Sequence, residues 1–175
     1  MKLTIVEYPD KRLKERSKAV EKFDSELHRL LDAMYEMMIK SNGIGLAAVQ
    51  VGHAKQVLIL NIPDDNDGQP IDNLIEMINP TIIQASGETT YQEGCLSVPS
   101  FYEDVNRYEK IAVTYQDRNS ITKTIEADGL LSIALQHEID HLKGILFIDK
   151  LSYSRRKKFE KEYKRVQKEK KISKE

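Results

Sequence analysis

Between Leu130 and Lys143 the chain reads as a helix that is apolar almost all round, yet it carries Gln136-His137-Glu138-Ile139-Asp140-His141 in its middle. Leu130, Leu131, Ile133, Ala134 and Leu135 precede that hexapeptide, and Ile139 and Leu142 run through it. Such a helix belongs inside a fold. Two imidazoles and a carboxylate placed there carry a heavy desolvation cost unless something satisfies them. Residues four apart share a helical face, so His137 and His141 can grip one ion, and Glu138, one step round, can reach a water on it. This is the pattern of the zinc hydrolases, two His ligands with a Glu as general base. A pair of surface histidines gives the same string by chance, and it is the apolar flanks that favour a metal.

Two imidazoles do not complete a catalytic site, which needs three protein ligands and one open position. After His141 there is no further His or Cys, and Asp149 is the nearest carboxylate. Upstream stands the single cysteine, in Glu93-Gly94-Cys95-Leu96-Ser97-Val98-Pro99, and its thiolate would complete a Cys/His/His set. A free cysteine is more often inert filler, but Gly94 beside it leaves the backbone room to approach a ligand. His28 and His53 lack ligand spacing and read as surface or satisfied histidines. The segment Gly43-Ile44-Gly45-Leu46-Ala47-Ala48-Val49-Gln50 partly mimics a dinucleotide fingerprint, but it follows a helix where that fingerprint must follow a strand. Its small residues point instead to close packing around an extended ligand. Gln50 is then either an amide donor or a structural residue.

The remaining pattern places these segments in a fold. Ser25 to Lys40 reads as a helix capped by Asp24, with Leu27, Leu30, Leu31, Met34 and Met38 on one face and Ser41-Asn42-Gly43 as its stop. Gln56–Asn61, Leu74–Ile83, Lys110–Gln116 and Ile121–Glu126 read as strands, the last two joined by the turn Asp117-Arg118-Asn119-Ser120. Ser154 to Lys170 is a second, more polar helix with Phe159, Tyr163 and Val166 as a narrow apolar stripe. The expected fold class is α+β: mainly antiparallel sheet around a central metal-binding helix, with a C-terminal surface helix. At 175 residues one domain suffices, with 1–150 as its catalytic part and 151–175 as a basic helical extension.

Charge is unevenly spread. Residues 150–175 hold 12 Lys and Arg against 4 Asp and Glu, while the rest of the chain holds 15 against 24. A basic tail on an acidic body suits a polyanion, although a solvated helix docked by its apolar stripe explains the same residues. No apolar run approaches the ~20 residues of a membrane span. The first residues lack the apolar core of a signal peptide, and a lone cysteine cannot form an internal disulfide. A cytoplasmic protein is expected.

Taken together, Gly43–Gln50, Glu93–Ser97 and Gln136–His141 resemble, in that order, the three signatures of the peptide deformylases, metal-dependent enzymes that remove the N-formyl group from N-formylmethionine of nascent polypeptides. The resemblance covers essentially residues 2–150. It implies Cys95, His137 and His141 as metal ligands, Glu138 activating a metal-bound water, and formate as the released product. It implies further that the Gln50 amide and the Leu96 backbone N–H meet the developing oxyanion, and that Gly45 pairs with the substrate backbone. A methionine pocket would be formed by Ile44, Tyr91, Leu130, Ile133 and Ala134, with Glu93 and Arg107 paired beneath the cysteine loop. Fe²⁺ is the implied native ion, with Zn²⁺ able to replace it on purification. The basic C-terminal helix, including Arg155, Arg156, Lys157 and Lys158, would dock on the ribosome. One departure is Ser100, which follows Pro99 where many family members have Gly.

Two other readings fit part of the pattern. A general metallopeptidase would share the helix but not the upstream cysteine. A structural metal site in an RNA-binding module would explain the tail, but it needs four protein ligands and has no use for Glu138 or Gln50.

Overall fold

The computed structural model describes residues Met1 to Lys174; Glu175, the last residue of the basic extension, lies outside the described residues. Three α-helices, α1 (Ser25–Lys40), α2 (Gly129–Leu142) and α3 (Tyr153–Ser173), accompany seven strands. The strands are β1 (Gly45–Ala47), β2 (Val57–Leu60), β3 (Ile75–Ser86), β4 (Thr89–Cys95), β5 (Val98–Arg107), β6 (Lys110–Gln116) and β7 (Thr122–Asp128). Five of them form an antiparallel sheet in the order β1-β2-β3-β6-β7, and β4 and β5 form a separate antiparallel hairpin. The α+β class expected from the pattern is the one found.

Local chemistry explains the elements. The Asp24 carboxylate accepts the Leu27 N–H at 3.1 Å and starts α1. The helix buries Leu27, Leu30, Leu31, Met34 and Met38, the face that its periodicity marks. It stops before Asn42, whose φ of 58° is left-handed. β2 is apolar throughout because both its faces are covered. Val57 and Ile59 pack with α1, while Leu58 and Leu60 pack with Leu135 and Ile139 of α2. The sheet is therefore the middle layer between α1 and α2. In the β6–β7 turn, Asp117 Oδ1 accepts the N–H groups of Asn119 and Ile121 at 2.9 and 3.0 Å, a side chain standing in for backbone.

The hairpin β4–β5 is not expected from the pattern, because its buried positions include a glutamate and its second strand holds a proline and a left-handed Ser100 (φ 72°). That angle is the one glycine favours, which accounts for the usual residue there. A third apolar cluster joins this hairpin to α3 through Phe101, Phe147, Phe159 and Tyr8, with Tyr163 and Val166 at its edge. Phe101 meets Phe159 edge-on at 5.0 Å, as Tyr8 meets Tyr163. The apolar stripe of α3 is thus docked, and the helix runs three residues beyond the expected Lys170, to Ser173. Among the described residues, no helix is long and apolar enough to cross a membrane.

The chain turns away from α2 at Gly144, where φ is 77° and the Lys14 carbonyl lies where a Cβ would stand. The Leu142 carbonyl accepts the Ser17 N–H at 2.9 Å, so the N-terminal segment closes over the end of the central helix. A Cβ at Gly144 would strike backbone that cannot rotate away, on top of the left-handed penalty. Gly144→Ala is expected to lower stability by roughly 2 kcal/mol or more, read as a lower urea midpoint at unchanged slope.

Candidate metal centre

Two elements bring the site together. Cys95 ends β4 and pairs with Val98 of β5, so Leu96 and Ser97 form a tight turn at the tip of the hairpin. His137 and His141 project from one face of α2, where every residue from Ser132 to Leu142 is buried. Cys95 Sγ lies 3.4 Å from His141 Nε2, which lies 3.2 Å from His137 Nε2. All three donor atoms fall within 4.8 Å of one another.

The protonation of the two rings follows from their partners. His137 Nδ1 is 2.8 Å from Glu93 Oε1, a carboxylate that can only accept, so Nδ1 carries a hydrogen and Nε2 is the atom that faces His141. Burial, reinforced by positive charge at His137 and Arg107, pushes His141 well below the usual imidazole range and keeps it neutral. Burial also opposes charge on His137, but hydrogen bonds to Cys95 and Glu93 outweigh it and hold that ring well above the ordinary value. An environment that favours positive charge there is what a metal ion needs. Two ring nitrogens 3.2 Å apart cannot both present lone pairs unless a cation or a proton lies between them. The residues fit a divalent ion with mixed sulfur and nitrogen donors.

The support beneath is a buried ion cluster. Arg107 donates from Nε and Nη2 to the two oxygens of Glu93 at 2.7 and 2.8 Å, and from Nη1 to Asp140 Oδ2 at 2.5 Å. The paired Glu93–Arg107 expected beneath the cysteine loop is present, and Asp140 is its third member. Burial raises the Glu93 carboxyl, but Arg107 and His137 overcome it, so Glu93 stays below the usual range and ionised. Lys150 Nζ reaches Asp140 Oδ2 at 4.0 Å from the rim, and Glu93 turns its other face to His137, so each carboxylate of the cluster meets two basic groups. Gln136, also buried, bonds both backbone groups of Tyr108, at 3.0 Å from its N–H and 2.8 Å to its carbonyl, and ties α2 to the end of β5.

Glu138 is buried, and burial lifts its carboxyl to about 7. Its Oε2 has no hydrogen-bond partner among the described residues. The carboxylate lies close to β1. A Cβ at Gly45 would come within 3.1 Å of Glu138 Cγ and 2.8 Å of Leu60 Cδ2, so only glycine leaves it room. Gln50 is 1% exposed and held at both ends, with Oε1 accepting from Ala47 N–H at 3.0 Å and Nε2 donating to Ser97 Oγ at 3.1 Å. The same Nε2 is 3.5 Å from Cys95 Sγ. Gln50 is both structural and adjacent to the donors.

A cleft of about 450 Å³ opens over these groups. Ile44, Gly45, Tyr91, Leu130, Ile133 and Ala134 all line it, together with Gln50, Leu96, Cys95, His137 and Glu138. Of the residues that the resemblance assigns to this site, only the buried His141 and Arg107 do not border the cleft. Asp149 lies outside the donor set, since it caps the Leu146 N–H and pairs with Arg156. His28 is satisfied by the Arg118 carbonyl at 2.8 Å. Gly94 lines the cleft and is also covered by the Tyr102 ring, which lies 2.5 Å from any added Cβ. Sequence reasoning passed over Gln136, Asp140 and Ser97 as parts of the site. Their signal is a polar side chain on an otherwise apolar face, which demands a buried partner.

A cysteine and two histidines on a hairpin and a buried helix, with a carboxylate beside them, are the residue set of a metal-dependent hydrolase. Residues 2–157 match the family described as polypeptide deformylase. A peptide deformylase of Wolinella succinogenes is 56% identical over 165 residues, 94% of this chain and 97% of the relative. The crystal structure of a peptide deformylase from Legionella pneumophila superposes with a TM-score of 0.86 at 38% identity, over 95% of this chain and 98% of that one. A peptide deformylase from Acinetobacter baumannii, solved with Met-Ala-Ser bound, superposes with a TM-score of 0.79 at 31% identity, over 86% and 99%. The chain belongs to the polypeptide deformylase family. It is a metal-dependent hydrolase that removes the N-formyl group from nascent polypeptides.

Replacing Arg107 strands Glu93 and Asp140 as buried, unpaired charges. Arg107→Ala is expected to cost about 3–5 kcal/mol of stability and to loosen metal retention, read by thermal melting and by metal content after dialysis against a weak chelator. Unchanged melting and retention would show that the cluster supports nothing.

Proposed function

We propose that Cys95, His137 and His141 hold one divalent metal ion per chain and that Glu138 is the proton-transfer group of the deformylation. The observation that carries this reading is the convergence of three donor atoms within 4.8 Å, beside a buried carboxylate whose Oε2 is unpartnered. Bound there, the ion supplies Lewis acidity to the formyl carbonyl and to the attacking water.

The chain's own residues do the rest. Glu138 takes a proton from the attacking water at a carboxylate oxygen and returns it to the departing amine nitrogen, a task suited to a carboxyl lifted to about 7 by burial. Gln50 Nε2 carries two hydrogens: Ser97 holds one, and the other, in weak contact with Cys95 sulfur at 3.5 Å, is free to meet the formyl oxygen as it gains charge. The Leu96 backbone N–H, at the hairpin tip, is the second donor. β1 is an edge strand of the sheet, so Gly45 has an unpaired side for an extended peptide backbone. Ile44, Tyr91, Leu130, Ile133 and Ala134 take the methionine side chain, whose flexible thioether suits an apolar pocket. The Acinetobacter enzyme was solved with Met-Ala-Ser bound, a peptide of the class this reading seats in the cleft.

Fe²⁺ is the native ion in this reading. Zn²⁺ displaces it during purification because intrinsic affinity ranks zinc above iron. The enzyme works in the cytoplasm, with residues 1–150 as its catalytic part and 151–175 as a basic extension of the same domain. α3 meets ribosomal RNA through its exposed cations, Lys157, Lys158, Lys161 and Lys164 among them. Because Phe159 and Tyr163 are docked on Tyr8 and Phe101, charge substitution rather than truncation isolates that role.

Formate release from formyl-Met-Ala-Ser by protein loaded anaerobically with Fe²⁺ tests the assignment. Glu138→Gln is expected to lower kcat by roughly 10²–10⁴ while metal content stays at that of the wild type. Retention of wild-type turnover would remove Glu138 from the chemistry. Gly45→Ala should displace the Glu138 carboxylate and lower kcat by about tenfold or more. Adding Leu60→Ala relieves the packing clash alone, so recovery of kcat in the double variant would assign the defect to Leu60.

A further inference from the structure

The N-terminal segment carries a cluster of cations that the deformylase site does not use. The 3-10 turn Lys11–Lys14 buries only Leu13 and leaves Lys11 and Lys14 exposed, and the extended stretch after it exposes Arg16 and Lys18. The fold brings more positive charge beside them. The Lys18 backbone bridges to that of the half-buried Lys55, and the Lys14 carbonyl lies beside Gly144, next to the exposed Lys143. Among the described residues none of these six forms an ion pair, although the chain outside the tail holds 24 Asp and Glu. Asp10 is engaged with Arg12, which leaves Glu15 as the one exposed carboxylate within the segment from Lys11 to Lys18.

The cluster adjoins α3. Tyr8 packs edge-on against Phe159 and Tyr163, and Tyr163 Oη donates to the Tyr8 carbonyl at 3.2 Å. Lys11 follows Tyr8 by three residues, a reach of at most about 10 Å. That is on the order of one Debye length, within which surface charges act together.

We infer that the N-terminal segment, with Lys55 and Lys143, forms a second basic face continuous with α3, and that the two together grip the phosphate backbone of duplex RNA. Like charges gathered without counter-charges disfavour the folded state unless a polyanion neutralises them. RNA is the favoured polyanion because the substrate, a nascent polypeptide, emerges from a ribonucleoprotein particle. The inference rests on the reading of α3 as RNA-facing only for the continuity of the two faces.

The test is fluorescence anisotropy with a short RNA duplex as probe, across a salt series, on the metal-loaded enzyme. One variant carries Lys11→Gln, Lys14→Gln, Arg16→Gln and Lys18→Gln. A second carries Lys157→Gln, Lys158→Gln, Lys161→Gln and Lys164→Gln. Formate release at the wild-type rate certifies that each is folded. Each variant is expected to bind at least tenfold more weakly at moderate salt, with the log–log salt slope reduced by about 0.9 for each phosphate that is no longer neutralised. Lys→Arg at the three N-terminal lysines should restore the wild-type slope, since charge and not shape is read. Wild-type affinity and slope in the N-terminal variant, with weakened binding in the α3 variant, overturns this inference and leaves the α3 reading standing. Failure of the wild type to bind RNA overturns both. Binding to phosphatidylglycerol vesicles in place of RNA overturns it in favour of a lipid surface.

Discussion

Burying α2 is the constraint from which the other features of this molecule follow. The helix must lie under the sheet because Leu135, Ile139 and Leu142 have nowhere else to go. It takes Gln136, His137, Glu138, Asp140 and His141 with it. Each of those polar groups then needs a partner, and the fold around them reads as a set of answers. Tyr108 meets Gln136, Arg107 meets Asp140, and Glu93 meets His137. The outlying β4–β5 hairpin supplies two of those partners, Glu93 on β4 and Arg107 at the end of β5, and Tyr108 follows it directly. What protein leaves unanswered on this helix, among the described residues, is Glu138 Oε2, His141 Nδ1 and the space between Cys95, His137 and His141.

The electrostatics of that space are set from behind. An isolated guanidinium or carboxylate at such burial would be costly, and a buried ion pair is at best weakly stabilising on its own. Here Glu93 is shared between Arg107 and His137, and Asp140 between Arg107 and Lys150, so the cluster reaches the donor atoms through one hydrogen bond to the His137 ring. Glu138 stands apart from that cluster, and its carboxyl is lifted because burial outweighs the pull of His137, 3.9 Å away. One helix thus presents two carboxylates in opposite conditions: Asp140 locked to arginine, Glu138 left able to exchange a proton.

Much of this was legible in the sequence, unevenly. α1 and β6 have the expected bounds because a cap and clean periodicity act locally, and the buried face of α1 is the one its spacing marks. The Cys/His/His set could be read because one cysteine and one histidine pair leave few combinations. The β4–β5 hairpin could not, because its burial depends on Glu93 and Arg107, residues that composition assigns to the surface, and on Ser100 in a glycine-like conformation. The closeness of Glu138 to Gly45 also escapes the sequence: it arises where an edge strand meets a helix that follows more than eighty residues later. The basic face at the N-terminus is assembled from three separated segments, so no run of charge announces it.

Cobalt(II) titration of the chelator-treated chain addresses the central claim, that the unanswered space in the core is a site for one metal held by sulfur and two imidazoles. The account predicts saturation at about one equivalent per chain, with a thiolate-to-cobalt charge-transfer band that disappears in Cys95→Ser. A titration without that band, or one in which Cys95→Ser binds cobalt with an unchanged spectrum, would contradict it.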